Sequence, residues 1–217
     1  LVAHDGVDLE RFDELPAGPQ AKAAISIGEE TFTAGYAGHL YPGKGAELIP
    51  ELARRCPEIQ FLVVGGQANY VAQSREEAAR LGLGNVRYEG FVPNADLPRY
   101  LAACDVLLMP YHRRVEGSSG GDISRWMSPM KMFEYMASGR PIISSDLRVL
   151  REVLNETNSV LCEPEDVDTW EAALRRVATN EELGRRFATQ ARSDVRRYTW
   201  RRRVRQILGA FLGDGSR

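Results

Sequence analysis

The chain has 217 residues, enough for one doubly wound domain and too few for two comfortable ones. Apolar residues make up 43% and charged residues 27%, and no apolar run approaches the roughly 18 residues of a membrane span. Three widely spaced cysteines, Cys56, Cys104 and Cys162, form no CxxC or Cys/His cluster, which argues against a disulfide framework or zinc site and for a reducing, cytoplasmic setting.

The net charge of −2 conceals an uneven distribution: between residues 175 and 205, eleven arginines face three acids. Such a basic tail suits an anionic membrane surface, an acidic partner or nucleic acid; equally, it can be a solvated arginine-rich helical face. Only Lys22, Lys44 and Lys131 of the 28 basic residues are lysines. Where arginine serves almost everywhere, the remaining lysines hint at positions wanting a compact ammonium.

In chain order, the opening "LVAHDGVDLERF" lacks a methionine or signal-peptide pattern and reads as mid-protein sequence. With the polar, Pro/Ala-rich stretch at 14–24, it makes residues 1–24 an expected interdomain hinge. "TFTAGYAG" predicts a strand and "GAELIPELARRC" an amphipathic helix despite Pro50. "IQFLVVGG" predicts a buried strand and "YVAQSREEAARLGL" a helix; "NVRYEGFV" predicts a strand and "NADLPRYLAACD" a helix capped by Asn94. After the strand "VLLMPY" comes a long irregular stretch, "HRRVEGSSGGDISRWM", then a helix over 129–138 with Pro129 in its first turn. The strand "PIISS", a helix in "LRVLREVL", the strand "SVLCE" and further helices from "DVDTWEAALRRVA" onward complete the pattern. Residues 25–199 are thus expected to form one domain, followed by a basic helix over 200–217.

Continuous apolar strands alternating with amphipathic helices imply an α/β fold, a Rossmann-like doubly wound parallel sheet covered on both faces. Ligands of such sheets sit beyond the carboxyl ends of the strands, near the topological switch point. The loops at 38–45, 65–70, 90–94, 111–128 and 144–147 should therefore converge.

The first of these, "GYAGHLYPGKG", places Gly38 and Gly43 around His39 and Lys44 before a helix. Small residues let backbone N–H groups approach an oxygen-rich ligand, and Lys44 adds a point charge, so the loop suits phosphate; a plain glycine-rich turn fits it as well. In "SPMKMFEYMASGRPII", Lys131 and Glu134 share one helix face at i, i+3. A helix start and a lysine could hold a diphosphate while the carboxylate accepts from two ribose hydroxyls; the alternative is a surface Lys-Glu pair of small energetic value.

Five ordered segments, "DGVDLERF", "GYAGHLYPGKG", "NVRYEGFVP", "LPRYLAACDVLLMPY" and "SPMKMFEYMASGRPIISSD", make the chain resemble the C-terminal, donor-binding lobe of the GT-B-fold group 1 retaining glycosyltransferases. The resemblance implies transfer of a sugar, hexosyltransferase-like, from a UDP-, GDP- or ADP-linked donor, with no further cofactor and no metal. It implies Lys44 on the diphosphate, Glu134 on the ribose, and Gly90, Phe91 and Val92 beside the base. Ser128, Met130 and Lys131 would lie beside phosphates and ribose, and the loop 117–121 near the sugar. A missing N-terminal lobe would hold the acceptor, and nucleic acid is not an expected partner. Peripheral contact with the inner membrane face would suit the basic tail.

The sequence departs from the family twice. His39 stands where an arginine is frequent, removing a permanent cation, and Trp126 stands where the first of two glutamates is frequent. The sole D-x-D, Asp166 to Asp168, reads as a helix cap rather than a metal site. His4 reads as structural; His112, Glu116 and Asp122 open to ligand or solvent alike. A non-catalytic nucleotide-sugar sensor or partner subunit is the alternative function. A dinucleotide-dependent oxidoreductase would need a G-x-G-x-x-G that "GHLYPGKG" does not supply.

Overall fold

The computed structural model describes residues 2–117 and 120–212. Its strands are β1 (Thr33–Ala37), β2 (Gln60–Val64), β3 (Val86–Gly90), β4 (Val106–Met109), β5 (Ile142–Ser145) and β6 (Val160–Cys162). They form a single parallel sheet in the order β3-β2-β1-β4-β5-β6. All six fall in the runs predicted as strands.

The runs of the central strands β2, β1 and β4 are apolar because those strands are buried on both sides, whereas the edge strand β3 carries Arg87 and Glu89 and is only partly buried. Phe61 and Val63, with Val106 and Leu108, join the core beneath α2 (Ile49–Arg55), α3 (Ala68–Arg80) and α6 (Val167–Ala178), where Trp170 and Leu52 are fully buried. Their neighbours Leu62, Val64, Leu107 and Met109 join the opposite core, beneath α4 (Leu97–Ala102), α5 (Met130–Ser138) and α7 (Glu181–Asp194), with Phe133 and Met136. Each fully buried side chain of this size contributes about 2 kcal/mol by leaving water.

Departures from the expected elements have local causes. The stretch at 14–24 contains a helix, α1 (Gly18–Ala24), that packs Ala21 against Ala102 and Ala103. Lys22 on that helix is buried: its ammonium lies 2.8 Å from Asp105, whose carboxylate also accepts from the Thr33 N–H at 2.7 Å. One of the three lysines therefore fixes α1 to the start of β1. Pro50 splits the predicted helix before β2 into a 3₁₀ turn, Ala46–Leu48, and α2. Asn94 is not the cap of α4, which begins at Leu97 with Pro98 in its first turn. The "LRVLREVL" segment forms only a 3₁₀ turn, Leu150–Glu152. It is too short to repay helix nucleation, and burial of Leu150 and Leu154 holds the chain down instead.

The ends of the chain run together. Val7 donates to the Tyr198 carbonyl at 2.9 Å, and Gln206 on α8 (Trp200–Leu212) donates to that of Val2 at 2.9 Å. Trp200, Val204, Leu208 and Phe211 on α8 are exposed at near-helical spacing.

Candidate functional site

The strand order reverses direction between β1 and β4, so the connections leaving their carboxyl ends diverge and open a crevice. A cavity of about 840 Å³ fills it, within the range of nucleotide-sized sites. Its walls come from the loops after β1, β2, β3 and β4 and from the first turns of α5. The loop at 144–147, expected to converge there, does not reach the lining.

Lys131 is the centre of this cavity. Its Nζ is buried and has no hydrogen-bond partner among the described residues. Instead it lies 4.1 Å from the centre of the Tyr36 ring and 5.0 Å from that of Tyr111. Lys44 Nζ approaches the same Tyr111 ring at 5.8 Å. The aromatic faces attract an ammonium but only partly offset its lost hydration. Burial, followed by the repulsion of Lys44, pushes the Lys131 ammonium down to about 7, against the opposing pull of Glu134. Burial lowers Lys44 as well. The cavity thus places two lysine ammonium groups side by side, one of them without a hydrogen-bond partner among the described residues.

Local sequence makes this arrangement possible. Gly38 follows β1 directly with φ +146°, and a Cβ there would lie 2.9 Å from Lys131 Nζ. Glycine at 38 is what lets the ammonium come in under the loop. Pro129 precedes α5 in an extended conformation, and no side chain caps the helix. Ser128, Pro129, Met130 and Lys131 line the cavity, so the positive end of the helix dipole adds to the two ammonium groups.

Glu134 occupies the same lining one turn along α5. It does not pair with Lys131; its Oε1 receives Arg11 Nη1 at 3.4 Å. Burial raises the carboxyl, while Arg11 and then Lys131 oppose that rise. The surface-pair reading of Lys131 and Glu134 does not describe this geometry.

Of the other residues singled out in the sequence, His39, Gly38, Phe91, Val92, Ser128 and Met130 line the cavity. His39 stacks on Tyr41 with ring centres 4.7 Å apart, and its carbonyl accepts from Tyr36 Oη at 2.6 Å. Phe91 is 82% exposed at the rim, leaving an aromatic face open to a planar ligand. Ser128 Oγ accepts from the Asp5 N–H at 2.9 Å. Gly43 and Gly90 stand behind the lining. Gly43 donates to Glu47 at 3.0 Å, and the Gly90 carbonyl accepts from Gly65 at 2.7 Å, so both shape loops.

His112 lies outside the cavity lining between Glu47, at 3.9 Å, and Glu165, at 3.6 Å. Asp122 accepts from the N–H groups of Val115 and Ser124 and so closes its own loop. Glu116 faces Arg114 at 3.9 Å, and His4 faces Glu152 at 3.3 Å. Asp166 caps α6 by accepting from the Asp168 N–H at 3.1 Å, while Asp168 pairs with Arg55. The expectation for the loop at 117–121 falls partly on Ser118 and Ser119, which lie outside the described residues.

Three residues at the site carry no chemical signal of their own in the sequence: Arg11, Tyr36 and Tyr111. Arg11 was within reach, because "DGVDLERF" is one of the five segments of the family resemblance. Tyr36 lies within β1 and Tyr111 just beyond β4, and in the sequence both read simply as core.

A second groove, of about 890 Å³, lies at the opposite, amino ends of the strands beside Asp105 and Pro141. Its arginines are largely engaged: Arg140 donates to the Ala102 carbonyl at 2.6 Å, Arg185 pairs with Glu181 at 2.7 Å, and Arg192 pairs with Asp13 at 2.8 Å. The chemistry favours the smaller cavity, whose ammonium is unpaired.

The sequence model of the family described as glycosyl transferases group 1 matches residues 31–180. Among curated proteins, the chain is similar to the D-inositol 3-phosphate glycosyltransferase of Saccharomonospora viridis, 27% identical over 231 residues, covering 96% of this chain and 50% of that protein. The chain spans 34% to 54% of the length of curated relatives it matches. Its fold resembles sucrose-phosphate synthase from Thermosynechococcus elongatus (TM-score 0.80, 21% identity, 96% of this chain and 51% of that one). It also resembles Anabaena HepE, solved with UDP and glucose (TM-score 0.77, 20% identity, 96% and 55%). A switch-point cavity on a Rossmann-like sheet, together with a family match over most of the chain, establishes that the protein belongs to the group 1 glycosyltransferases, with the fold of the C-terminal lobe of a GT-B enzyme.

Proposed function

We propose that the chain is the donor-binding half of a glycosyltransferase that takes a nucleoside-diphosphate sugar. The supporting observation is the buried, unpartnered Lys131 ammonium beside Lys44, at an uncapped helix start, with Glu134 one turn away. A pyrophosphate would satisfy the first three, and a ribose diol the fourth. The base would rest between Phe91 and Val92.

In transfer, the bond from the anomeric carbon to the diphosphate oxygen breaks and its electron pair leaves with the nucleoside diphosphate. Charge develops on that leaving group, and stabilising it is the main electrostatic task. Lys44, Lys131 and the α5 N-terminus meet it from within the chain, so the reaction is proposed to run without a metal; His39 contributes a cation only when protonated. Retention at the anomeric carbon follows from the family resemblance. An N-terminal lobe would supply the acceptor site, and the exposed face of α8 would pack against it. By itself the chain would bind donor and transfer nothing. Arg201, Arg202, Arg203 and Arg205 on α8 give the whole protein a means of resting on an anionic membrane face from the cytoplasm.

Calorimetric titration with UDP, GDP and ADP tests the reading. At least one should bind with a Kd below about 1 mM, the threshold of measurable affinity near −4 kcal/mol. Failure of all three to bind at millimolar concentration would overturn it. A sensor would bind donor equally well, but the full-length protein supplied with acceptors would then show no turnover.

A further inference from the structure

Arg11 is absent from the cavity lining, yet it is the group that meets Glu134. It sits in the 3₁₀ turn Leu9–Phe12, 123 residues from Glu134 in sequence. Buried Phe12 anchors that turn in the core against α5. The guanidinium reaches past Glu134 to the loop after β3, where it donates to both the carbonyl and, at 3.1 Å, the side-chain oxygen of Asn94. Asn94 itself lines the cavity mouth. One planar fork thus spans a carboxylate on α5 and a loop on the opposite wall, a task for which lysine lacks the geometry.

We propose that Arg11 is a positioning residue of the nucleotide site: it aims the Glu134 carboxylate at the ribose and fixes the Asn94 loop beside the base. The inference rests on the reading that Glu134 takes the ribose hydroxyls. Ionised, a carboxylate accepts a hydroxyl on each of its two oxygens; protonated, one of those oxygens carries an O–H and becomes a donor. The charged groups facing Glu134 are Arg11, from the segment before β1, and Lys131, on its own helix. Lys131 is committed to the phosphate side, so Arg11 is the partner that keeps the carboxylate charged as pH falls. By this route the segment preceding β1 takes part in donor recognition without touching donor.

The test compares UDP with 2′,3′-dideoxy-UDP by calorimetry from pH 5 to pH 8, in wild type, Arg11→Met, Arg11→Lys, Glu134→Gln and the Arg11→Met/Glu134→Gln double variant. Wild type should prefer the ribose by about tenfold or more, the worth of a hydrogen bond to a charged group. Arg11→Met should lose most of that preference, and lose it further as pH falls toward 5. Arg11→Lys should restore the pH profile. In the Glu134→Gln background, Arg11→Met should change the preference no further, whereas an arginine acting independently of the carboxylate would change that preference in both backgrounds. Should Arg11→Met fail to fold, Arg11→Lys and Asn94→Ala still decide: each must weaken the ribose preference without matching Glu134→Gln. An Arg11→Met protein with wild-type discrimination at every pH would overturn the positioning role alone. A wild type that binds both nucleotides equally would overturn the ribose reading and the Arg11 role with it.

Discussion

Replacing Lys131 by methionine is expected to weaken nucleoside-diphosphate binding by roughly a hundredfold while making the free protein more stable. The loss follows from removing an ammonium that has no hydrogen-bond partner among the described residues and is proposed to take one from the ligand; a charged hydrogen bond of about 3 kcal/mol corresponds to that factor. The gain in stability follows from proton linkage. Lys131 is held down to about 7 in the folded chain, chiefly by burial, and returns to its ordinary value near 10 on unfolding. Between those values the unfolded chain binds more protons, so wild-type stability should rise with pH across that window; below about 7 the full penalty is present. Methionine fills similar space without that penalty, so Lys131→Met should gain roughly 2–4 kcal/mol at pH 6, a gain that shrinks toward pH 10. Thermal melts of both proteins across this range check the sign. A destabilised variant, or one that binds UDP as wild type does, would show that Lys131 is an ordinary structural lysine. The same linkage makes donor affinity fall from pH 7 to pH 9 in wild type, because anion binding must then take up a proton.

Gly45→Ala should cost about 3 kcal/mol or more and disable the loop proposed to bind phosphate. Gly45 has φ +89°, and a Cβ there would collide with the carbonyl of Pro110. The left-handed conformation alone costs about 1–2 kcal/mol in a non-glycine residue, and overpacking adds about 1–3. Pro110 leads directly to Tyr111, the ring shared by Lys44 and Lys131, so relief of the clash must part the two walls of the cavity. In a domain of this size the melting temperature should fall by about 10 °C, and UDP affinity should fall with it. An unchanged melting curve would mean that the loop is not tied to β4 as described.

The centre of the sheet is legible because strands buried on both faces, β2, β1 and β4, leave an apolar run that no amphipathic helix mimics. The Lys131 and Glu134 placement was legible for a related reason: i, i+3 spacing after Pro129 fixes a shared face whatever the tertiary fold. What sequence could not supply was contact at long range. Arg11 lies 123 residues from the carboxylate it meets, and Tyr36 and Tyr111 come together only through the pairing of β1 with β4. The local pattern around Asn94 reads as a helix cap, but Pro98 sets the helix start and Arg11 takes the asparagine. The 3₁₀ turn after β5 and helix α1 show the same limit: short segments follow what they pack against rather than their own propensity.

The most direct measurement is a crystal structure of the protein at saturation with the nucleoside diphosphate that calorimetry selects. The account predicts diphosphate oxygens within hydrogen-bond distance of Lys131 Nζ and Lys44 Nζ, with the ribose hydroxyls on Glu134. Nucleotide density elsewhere, for example in the arginine-lined groove at the amino ends of the strands, with the Lys131 ammonium still unpartnered, would contradict it.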